Sequence, residues 1–416
     1  MPSRTWLVFF AAALATASLA SSAGAAETVK IGALYPLTGS SAPAGQAAKA
    51  AIELGVEIVN NAHPELKGLP LAATAGLPHL GGAKVEIINV DHQGDPSIGQ
   101  QQTLRLITQD HVAALIGVYH SSVALTATAV AERYGVPFVV ADSVAANITQ
   151  RGFKWTFRVT PIATDFAKAY TDFLLEMKHQ GKKVDSVSVL NENTDYGTSV
   201  GNNIVAAMKK GGFKVTQIVY NAKSTDVSAQ VLQLKQQKPD VAVFVGYTAD
   251  EILYMKTMHD LDVLPIMIIG DDAGFSDPSF IPAVGDITQG VLDRSAWAEG
   301  APGSVTYLIN EMYKKKTGRD LDDTSGRWMQ AFFVLCDAID RAGSTDPAKI
   351  QAALKATDLK PAQLMMGYQG VKFDATGQNI LASTYLIQLQ GKDYKSVWPE
   401  ARATAKLQWP MKGWKK

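Results

Sequence analysis

The sequence of 416 residues contains a single cysteine, Cys336. A disulfide within the chain is therefore impossible, and a cysteine-based zinc site or a CxxC redox pair is excluded as well. Because no cysteine stands at the exit of the apolar N-terminal run, we expect no lipid anchor. Cys336 lies in MQAFFVLCDAIDRAG, whose apolar residues recur at helical spacing. This spacing predicts a buried structural thiol rather than a nucleophile.

The common catalytic signatures are also missing: the sequence has no GxxxxGK[ST], GxGxxG, GxSxG or HExxH. Its seven histidines are scattered, and no two of them stand at helical ligand spacing. Asp91, His92 and Asp95 could suggest a metal site, but Asp95 followed by Pro96 is typical of a helix start. We therefore expect no metal, no cofactor and no enzymatic activity.

The chain has no excess of either charge, since Lys plus Arg and Asp plus Glu both total 39. This balance argues against nucleic acid as a partner. Residues 1–26 combine Arg4, an apolar run from Trp6 to Leu19 and the small-residue stretch SSAGAA. Such a segment is typical of a secretory signal peptide, and the run is too short for a confident membrane span. We expect cleavage near Ala25 or Ala26 and export to the periplasm.

Short apolar or β-branched runs alternate with helical stretches, the pattern of parallel sheets covered by helices. About 390 mature residues favour two domains. The pattern predicts an α/β fold with two doubly wound lobes. One series of predicted strands is Thr28–Tyr35, Lys84–Asp91, Val112–Gly117 and Val136–Ala141, and the other is Val184–Asn191, Lys214–Val219, Val241–Tyr247 and Ile266–Gly270.

Later segments do not continue this alternation. Pro302–Lys316 and Arg327–Ala342 have the periodicity of long amphipathic helices, and we expect them to return to the first lobe. Gly370–Leu389 has the composition of a β-hairpin with a turn at DATGQN. The Pro- and Gly-rich stretch His63–Gly82 predicts a long exposed loop.

Polar side chains cluster where predicted strands end, which is where open α/β sheets bind ligands. Ser121 and Ser122 follow one strand and begin a helix, so they could cap that helix or, with free N–H groups, hold an anion. Ser121 is the better ligand candidate of the two. Further candidates at the same kind of position are Asp142 and Ser143 on the first lobe, and Tyr196, Tyr247, Asp271 and Asp272 on the second.

These features suggest the capture of a small zwitterion. The serine edge would take a carboxylate, and an acidic residue opposite would take an ammonium group in a charge-assisted hydrogen bond. Asp271 and Asp272 are adjacent in a strand and point to opposite faces, so they are not expected to act as one acid–base pair.

The chain resembles the periplasmic solute-binding proteins of branched-chain amino acid ABC transporters, the Leu/Ile/Val-binding type. The resemblance covers nearly all of the mature chain, and each motif is weak alone but the series is in order. The motifs are IGALYPLTGSSAPAGQ, DHQGDPS, ALIGVYHSS, ITQRGFKWTFRVTP, DYGTSVG, KPDVAVFVGY, RAGSTDP and FDATGQ.

The resemblance implies a type I periplasmic binding fold, whose lobes are joined by three hinge crossings near Pro161, Trp297 and Phe373. The N-terminal lobe would comprise 27–160 plus 297–372, and the C-terminal lobe 161–296 plus 373–416. The resemblance also implies that Ser121 holds the ligand carboxylate. The other implied contacts are the residues around Asp142–Val144, together with Tyr196, Tyr247 and Asp272.

Four positions depart from the family pattern. Val144 stands where a threonine beside the ammonium is expected, and Asp142 stands where a small neutral residue is usual. Ala44 replaces a bulky aromatic, which implies a roomier pocket or a shifted lid. His120 precedes the serine, so a disulfide made at that position in relatives is absent.

We expect a monomeric receptor that captures an amino acid, branched-chain or otherwise aliphatic, and delivers it to a membrane permease. One alternative is the same fold binding aromatic or aliphatic carboxylates, amides or urea, and Ala44 and Val144 support it. Another is a ligand sensor subunit that reports to a signalling partner. A secreted enzyme would require a close His–Ser–Asp cluster.

Overall fold

A computed structural model describes residues 28–271 and 273–412 of the chain. The predicted signal peptide and the candidate residue Asp272 lie outside the described residues. The strands, in chain order, are β1 (Val29–Tyr35), β2 (Val85–Asp91), β3 (Ala114–Gly117), β4 (Phe138–Val140), β5 (Thr156–Arg158), β6 (Ser186–Glu192), β7 (Lys214–Tyr220), β8 (Val241–Val245), β9 (Met267–Gly270), β10 (Leu292–Ser295), β11 (Asp358–Leu359), β12 (Val371–Lys372), β13 (Tyr385–Gln390) and β14 (Asp393–Trp398).

The helices alternate with these strands up to β10, as the sequence pattern predicts, except that no α-helix lies between β4 and β5. In chain order they are α1 (Ala42–Asn60), α2 (Pro96–Thr108), α3 (Ser121–Tyr134), α4 (Ala163–His179), α5 (Asp195–Lys210), α6 (Ser228–Gln237), α7 (Thr248–Asp260), α8 (Ala273–Ser276), α9 (Phe280–Val284), α10 (Val305–Thr317), α11 (Asp323–Ala342) and α12 (Pro347–Lys355).

Two separate sheets form the centres of two lobes. The first is parallel, in the order β2-β1-β3-β4-β5, and the second has the order β14-β13-β10-β9-β8-β6-β7. The strands β6 to β10 of the second sheet are parallel and repeat the arrangement of the first, while β13 and β14 add an antiparallel edge. The predicted α/β class with two doubly wound lobes is confirmed.

The helices α10 to α12 follow the second sheet in sequence but pack on the first lobe. Tyr313 of α10, and Trp328 and Phe332 of α11, belong to the same apolar core as Ile31 and Ile52. Cys336 is fully buried in this core, as the helical spacing predicts. The long α11 lies against α1, where the ring of Phe332 occupies the space beside Gly55 that a side chain would fill.

Three passages of the chain connect the lobes. One joins β5 to α4, the second joins β10 to α10, and the third runs from β12 to β13. The third passage is tied to the first by Arg158, whose Nε donates to Oε1 of Gln378 at 2.7 Å. This buried guanidinium also donates to the carbonyl of Ala145 at 2.7 Å, so it fixes the loop after β4 as well.

Two sequence-based expectations were wrong in detail. The segment 63–82 is not simply an exposed loop, because Leu66, Leu69 and Leu77 are buried in the first-lobe core. Within the predicted hairpin at 370–389, the turn at DATGQN is present, because Phe373 and Asn379 pair antiparallel across it. The prediction was wrong about the flanking strands, since β12 pairs with β11, and β13 forms a separate hairpin with β14. The DATGQN turn lies against β5 at the edge of the first sheet, where the carbonyl of Gly377 accepts the N–H of Arg158.

Candidate functional site

The candidate site lies where the strand order reverses in both sheets. In the first sheet, β2 lies on one side of β1 and β3 lies on the other, so the strand order reverses between β1 and β3. In the second sheet, β7 and β8 flank β6 in the same way, and the order reverses between β6 and β8. Loops at the carboxyl ends of such strands diverge and leave a crevice, which is the usual ligand site of open α/β sheets. Here the two crevices face each other. Between them is a small, narrow cavity lined by Tyr119, Ser121, Asp142, Val144, Tyr196, Gly246 and Tyr247.

Ser121 is the first residue of α3 and is 1 % exposed. Its hydroxyl accepts the N–H of Ala145 at 3.3 Å, which leaves the hydroxyl proton available to a ligand. The N–H groups of a first helical turn have no partner within the helix and carry the positive end of the helix dipole. Ser121 and this turn can therefore donate several hydrogen bonds to one anionic group.

The other two candidate serines do not line this cavity. Ser122 is half-buried one position further along α3. Ser143 is buried, but its hydroxyl donates to the carbonyl of Val118 at 2.7 Å and lies 3.2 Å from that of Tyr119. Ser143 thereby fastens the loop after β4 to the end of β3, and this local role was not visible in the sequence.

Asp142 lines the cavity, but its carboxylate is already held by the protein. Its Oδ1 lies 2.8 Å from Nη2 of Arg327, and its Oδ2 accepts the indole N–H of Trp328 at 3.3 Å. Arg327 is itself 1 % exposed. Beside Asp142, Val144 contributes an apolar wall that is also buried.

On the second lobe, Tyr196 and Tyr247 form the opposite wall. Tyr196 lies in the first turn of α5, and its hydroxyl donates to the Oδ2 of Asp271 at 2.8 Å and approaches the Asp271 carbonyl at 2.6 Å. Tyr247 precedes α7, and its ring centroid is 5.2 Å from that of Tyr196. Asp271 is fully buried and also accepts the hydroxyl of Tyr170 at 2.6 Å, so it orients the wall rather than forming it.

Two residues of the cavity wall, Tyr119 and Gly246, were missed by the sequence analysis. The ring of Tyr119 packs with Ala44 and Tyr247 in a small apolar cluster, with 5.6 Å between the two tyrosine centroids. The aromatic ring that the family pattern places at position 44 is thus supplied by Tyr119, and the space beside Ala44 is filled. The sequence could have indicated Tyr119 as a site residue, because it stands two residues before Ser121 in the same strand-to-helix junction.

A buried carboxyl group lies directly behind Gly246. A Cβ atom at this position would lie 2.2 Å from the hydroxyl of Tyr220 and 2.8 Å from Oε1 of Glu251. Burial raises the pKa of Glu251 well above its usual range, and the nearby carboxylates Asp250, Asp293 and Asp271 raise it further. This side of the cavity is therefore rich in carboxyl groups and suits a cationic group.

A pair of histidines lies beside the cavity on the first lobe. Burial lowers the pKa of His92 to about 4, and the Nδ1 of its neutral ring accepts the N–H of Gly94 at 3.0 Å. Burial, together with the charges of His92 and Lys223, lowers the pKa of His120 to about 3. His120 packs at 4.9 Å, centroid to centroid, on Tyr247 of the other lobe.

His120 also meets a serine, which bears on the enzyme alternative. Its Nε2 lies 3.2 Å from the hydroxyl of Ser41, but Nδ1 has no hydrogen-bond partner in the part of the chain that the structure describes. A Ser–His–Asp cluster is therefore not formed there. No group of three or more His, Cys, Asp or Glu side chains suited to a metal occurs among residues 28–271 and 273–412.

Behind the cavity, five buried charged side chains run from one lobe to the other, which we call the hinge ladder: Asp142, Arg327, Asp323, Arg294 and Asp271. All five are at most 2 % exposed. After the 2.8 Å contact from Asp142 to Arg327, Arg327 Nε lies 3.1 Å from Oδ2 of Asp323. Arg294 Nη1 is 3.7 Å from that same oxygen, and Arg294 Nε is 2.9 Å from Oδ1 of Asp271.

The two lobes also touch at the mouth of the cleft. The N–H of Ala146, on the first lobe, donates to the hydroxyl of Ser199 on α5 at 3.1 Å. This contact and the packing of His120 on Tyr247 bring the two walls together over the cavity. Within the described ranges, no helix has both the length and the apolar character needed to cross a membrane.

The family model described as periplasmic binding protein matches residues 28–395. The Leu/Ile/Val-binding protein homolog 7 of Brucella suis biovar 1 (strain 1330) is 30% identical, over 95% of this chain and 97% of that protein.

Solved structures agree on the fold. A leucine binding protein, LivK, from Thermotoga maritima MSB8 superposes with a TM-score of 0.76 at 24% identity, covering 89% of this chain and 98% of that one. An ABC transporter solute binding protein from R. palustris, in complex with benzoate, superposes with a TM-score of 0.73 at 18% identity, covering 89% of this chain and 95% of that one. Proteins of this one fold thus bind different ligands.

Proposed function

Because this chain belongs to the periplasmic binding protein family, with a curated relative of the Leu/Ile/Val-binding type, we propose that it is the ligand-capturing component of an ABC transporter. It binds an amino acid with an aliphatic side chain between its lobes and delivers it to a membrane permease. The observation that carries this proposal is the cavity that Ser121 on one lobe and Tyr196 on the other both line. The chain acts by binding and not by catalysis, and it acts as a monomer.

Each wall has a proposed role in holding a zwitterion. Ser121 and the first turn of α3 take the carboxylate. Asp272 takes the ammonium group, supported by the carboxyl groups behind Gly246. Val144 and the rings of Tyr119 and Tyr247 pack on the aliphatic side chain. Burial enforces this selection, since a polar ligand atom left unpaired in the closed cleft costs about 1–3 kcal/mol.

The proposal also covers the export of the chain and the residues that each lobe comprises. Residues 1–26 direct the chain to the periplasm and are removed near Ala25 or Ala26. The lobes comprise 27–160 plus 297–372 and 161–296 plus 373–416, and hinge motion between them opens and closes the cleft. The sheet order supports assigning the last part of the chain to the C-terminal lobe, since β13 and β14 join the second sheet.

A second candidate function is the binding of an aromatic or aliphatic carboxylate in the same cleft. The tyrosine rings of the cavity and the benzoate-bound relative favour it. The carboxyl groups behind Gly246 favour the amino acid instead, because they suit the ammonium group of a zwitterion, which a plain carboxylate lacks.

A thermal-shift screen of the protein from Glu27 onward tests the proposal. L-leucine, L-isoleucine and L-valine should raise the melting temperature in a concentration-dependent way, because a ligand that binds only the folded state stabilises it by mass action. Benzoate, acetamide and urea are the comparison set. A shift with benzoate alone would favour the second candidate, and no shift with any aliphatic amino acid would refute the first.

A further inference from the structure

The hinge ladder is a buried connection between the two walls of the cleft. Its links alternate between acid and base over four contacts of 2.8 to 3.7 Å. Asp142 follows β4, and Arg327 and Asp323 lie in the first two turns of α11, all on the first lobe. Arg294 in β10 and Asp271 after β9 belong to the second lobe. The contact between Arg294 and Asp323 therefore passes from one lobe to the other.

Both ends of the ladder reach the cavity. Asp142 lines it directly. Asp271 accepts the hydroxyl of Tyr196, which lines it from the other side. A displacement of either arginine would consequently move a wall of the candidate site, although neither arginine is among the residues that line the cavity.

Asp323, the middle residue of the ladder, forms hydrogen bonds with the second hinge crossing, the passage from β10 to α10. Oδ1 of Asp323 accepts the N–H of Ala296 at 2.6 Å and the hydroxyl of Ser295 at 3.1 Å, while its Oδ2 faces the two arginines. One carboxylate thus joins the start of α11, the end of β10 and both guanidinium groups. A change in the hinge angle must strain or rearrange these contacts.

Stability alone does not account for such an arrangement. Burying an ion pair carries a desolvation free energy that the Coulomb attraction between the charges often only offsets. Proteins in which apolar side chains of similar volume replace such a pair are frequently as stable. The five side chains of the ladder also comprise three carboxylates and only two guanidinium groups. The arginine Arg294 also stacks on the Phe166 ring at 3.5 Å, so its position is fixed by packing and by two carboxylates together.

We propose that the hinge ladder couples the two walls of the cleft, with Arg294 and Arg327 as positioning residues that set Tyr196 and Asp142 relative to each other. The ladder makes ligand capture sensitive to Asp323, a residue that is not part of the cavity lining. The ligand-binding part of this inference rests on the proposed function, whereas the coupling itself does not.

A ligand-free double-mutant cycle tests the coupling. Asp142→Asn and Asp271→Asn each neutralise one end of the ladder, and the ends are separated by three other side chains. The unfolding equilibrium constants of the single and double variants should differ from additivity by about fivefold or more, because linked residues interact energetically while independent ones do not. In an Asp323→Asn background the cycle should become additive. Additivity in the native background, or coupling that persists without Asp323, would overturn the proposal.

The binding arm uses L-leucine and calorimetry. Asp323→Asn, which keeps an oxygen for Ala296 but loses the charge that faces the arginines, should weaken leucine binding about tenfold. Asp340→Asn is the matched control, because Asp340 is a buried carboxylate of the same helix that pairs with His79 away from the cavity. Equal effects of the two variants would refute a positioning role.

Two further outcomes are distinguishable. If Asp323→Asn does not fold, Arg294→Lys replaces it, since it keeps the charge but not the two-sided geometry of the guanidinium. If the unaltered protein binds no aliphatic amino acid, the proposed function fails, and the ligand-free cycle still decides whether the ladder couples the walls.

Discussion

Tyr119 shows how one side chain can decide the size of a site. Its ring occupies the space beside Ala44, where the family pattern led us to expect a roomier pocket. The substitution of a large residue by alanine is visible in a sequence, but the residue that fills the space is not. Tyr119 comes from another element, and only the folded arrangement brings the two together.

Tyr119→Ala should therefore change ligand size preference. Removing the ring leaves room for a longer or aromatic side chain, so the affinity for L-phenylalanine relative to L-leucine should rise about tenfold, in the range that pocket-filling groups provide. Calorimetry with both amino acids measures the ratio. Tyr119→Phe keeps the ring and should keep the original ratio; a similar change in that variant would implicate the hydroxyl instead.

Ser121→Ala tests the carboxylate contact. Loss of one hydroxyl donor inside a closed cleft should weaken L-leucine binding about tenfold, since an unmade hydrogen bond to a charged group costs about 1–3 kcal/mol. Ser122→Ala, one position along the same helix and outside the cavity lining, should alter the affinity less than about twofold. Equal losses in the two variants would place the carboxylate elsewhere.

Strands and helices differ in how well the sequence predicts them. The eight predicted strands all exist, with ends shifted by no more than two residues. Strands such as β3, β4 and β8 are fully buried, so their apolar runs are easy to recognise in the sequence. β5 and β10 were missed, and both are short and contain buried charges, Arg158 in one and Asp293 with Arg294 in the other. Their charges have partners such as Gln378 and Asp323 that are distant in sequence, so local periodicity could not identify them.

The candidate site, like the strands, is predictable from the sequence only where local patterns determine it. Five of its predicted residues, Ser121, Asp142, Val144, Tyr196 and Tyr247, share the cavity because strand ends are readable from the sequence. That they contact a ligand stays a prediction. The engagement of Asp142 by Arg327, and of Ser143 by a backbone carbonyl, depends on contacts between elements.

The start of α2 offers a test of a local prediction. Asp95 was expected to begin this helix, and its carboxylate accepts the N–H groups of Ser97 at 2.7 Å and Ile98 at 3.0 Å. Asp95→Ala should lower the free energy of unfolding by about 1 kcal/mol, the usual value of an N-cap. Denaturant titration measures the change. Asp95→Ser should retain most of the stability, and a full loss in that variant would contradict a capping role.

The closed arrangement of the two lobes links binding to a whole-chain motion. The cavity lies between walls that also meet at Ala146 and Ser199 and at His120 and Tyr247. A ligand that touches both walls favours this closed form because the open form offers it only one wall at a time. The three crossings and the hinge ladder lie behind the cavity, so closure and wall geometry depend on the same region.

Acid should destabilise the folded protein through its buried histidines. The pKa of His92 is about 4 when folded and near 6.5 when unfolded, so the unfolded chain takes up the proton first as the pH falls. The free energy of unfolding should decrease between pH 6.5 and about 4, by up to about 1.4 kcal/mol per pH unit from His92 alone. His92→Asn, which can still accept the N–H of Gly94, should flatten this slope in urea titrations. The exposed His179→Asn is the control, and an unchanged slope in the His92 variant would contradict the assignment.

The single thiol of this protein is sealed inside α11, fully shielded from solvent. A second cysteine introduced on the outside, for example in place of the exposed Asn147 next to the lobe contact at Ala146, would be the sole position that a maleimide dye could reach. The folded chain can then be labelled at one site without first deleting its native cysteine, which turns the opening and closing of the cleft into a fluorescence signal.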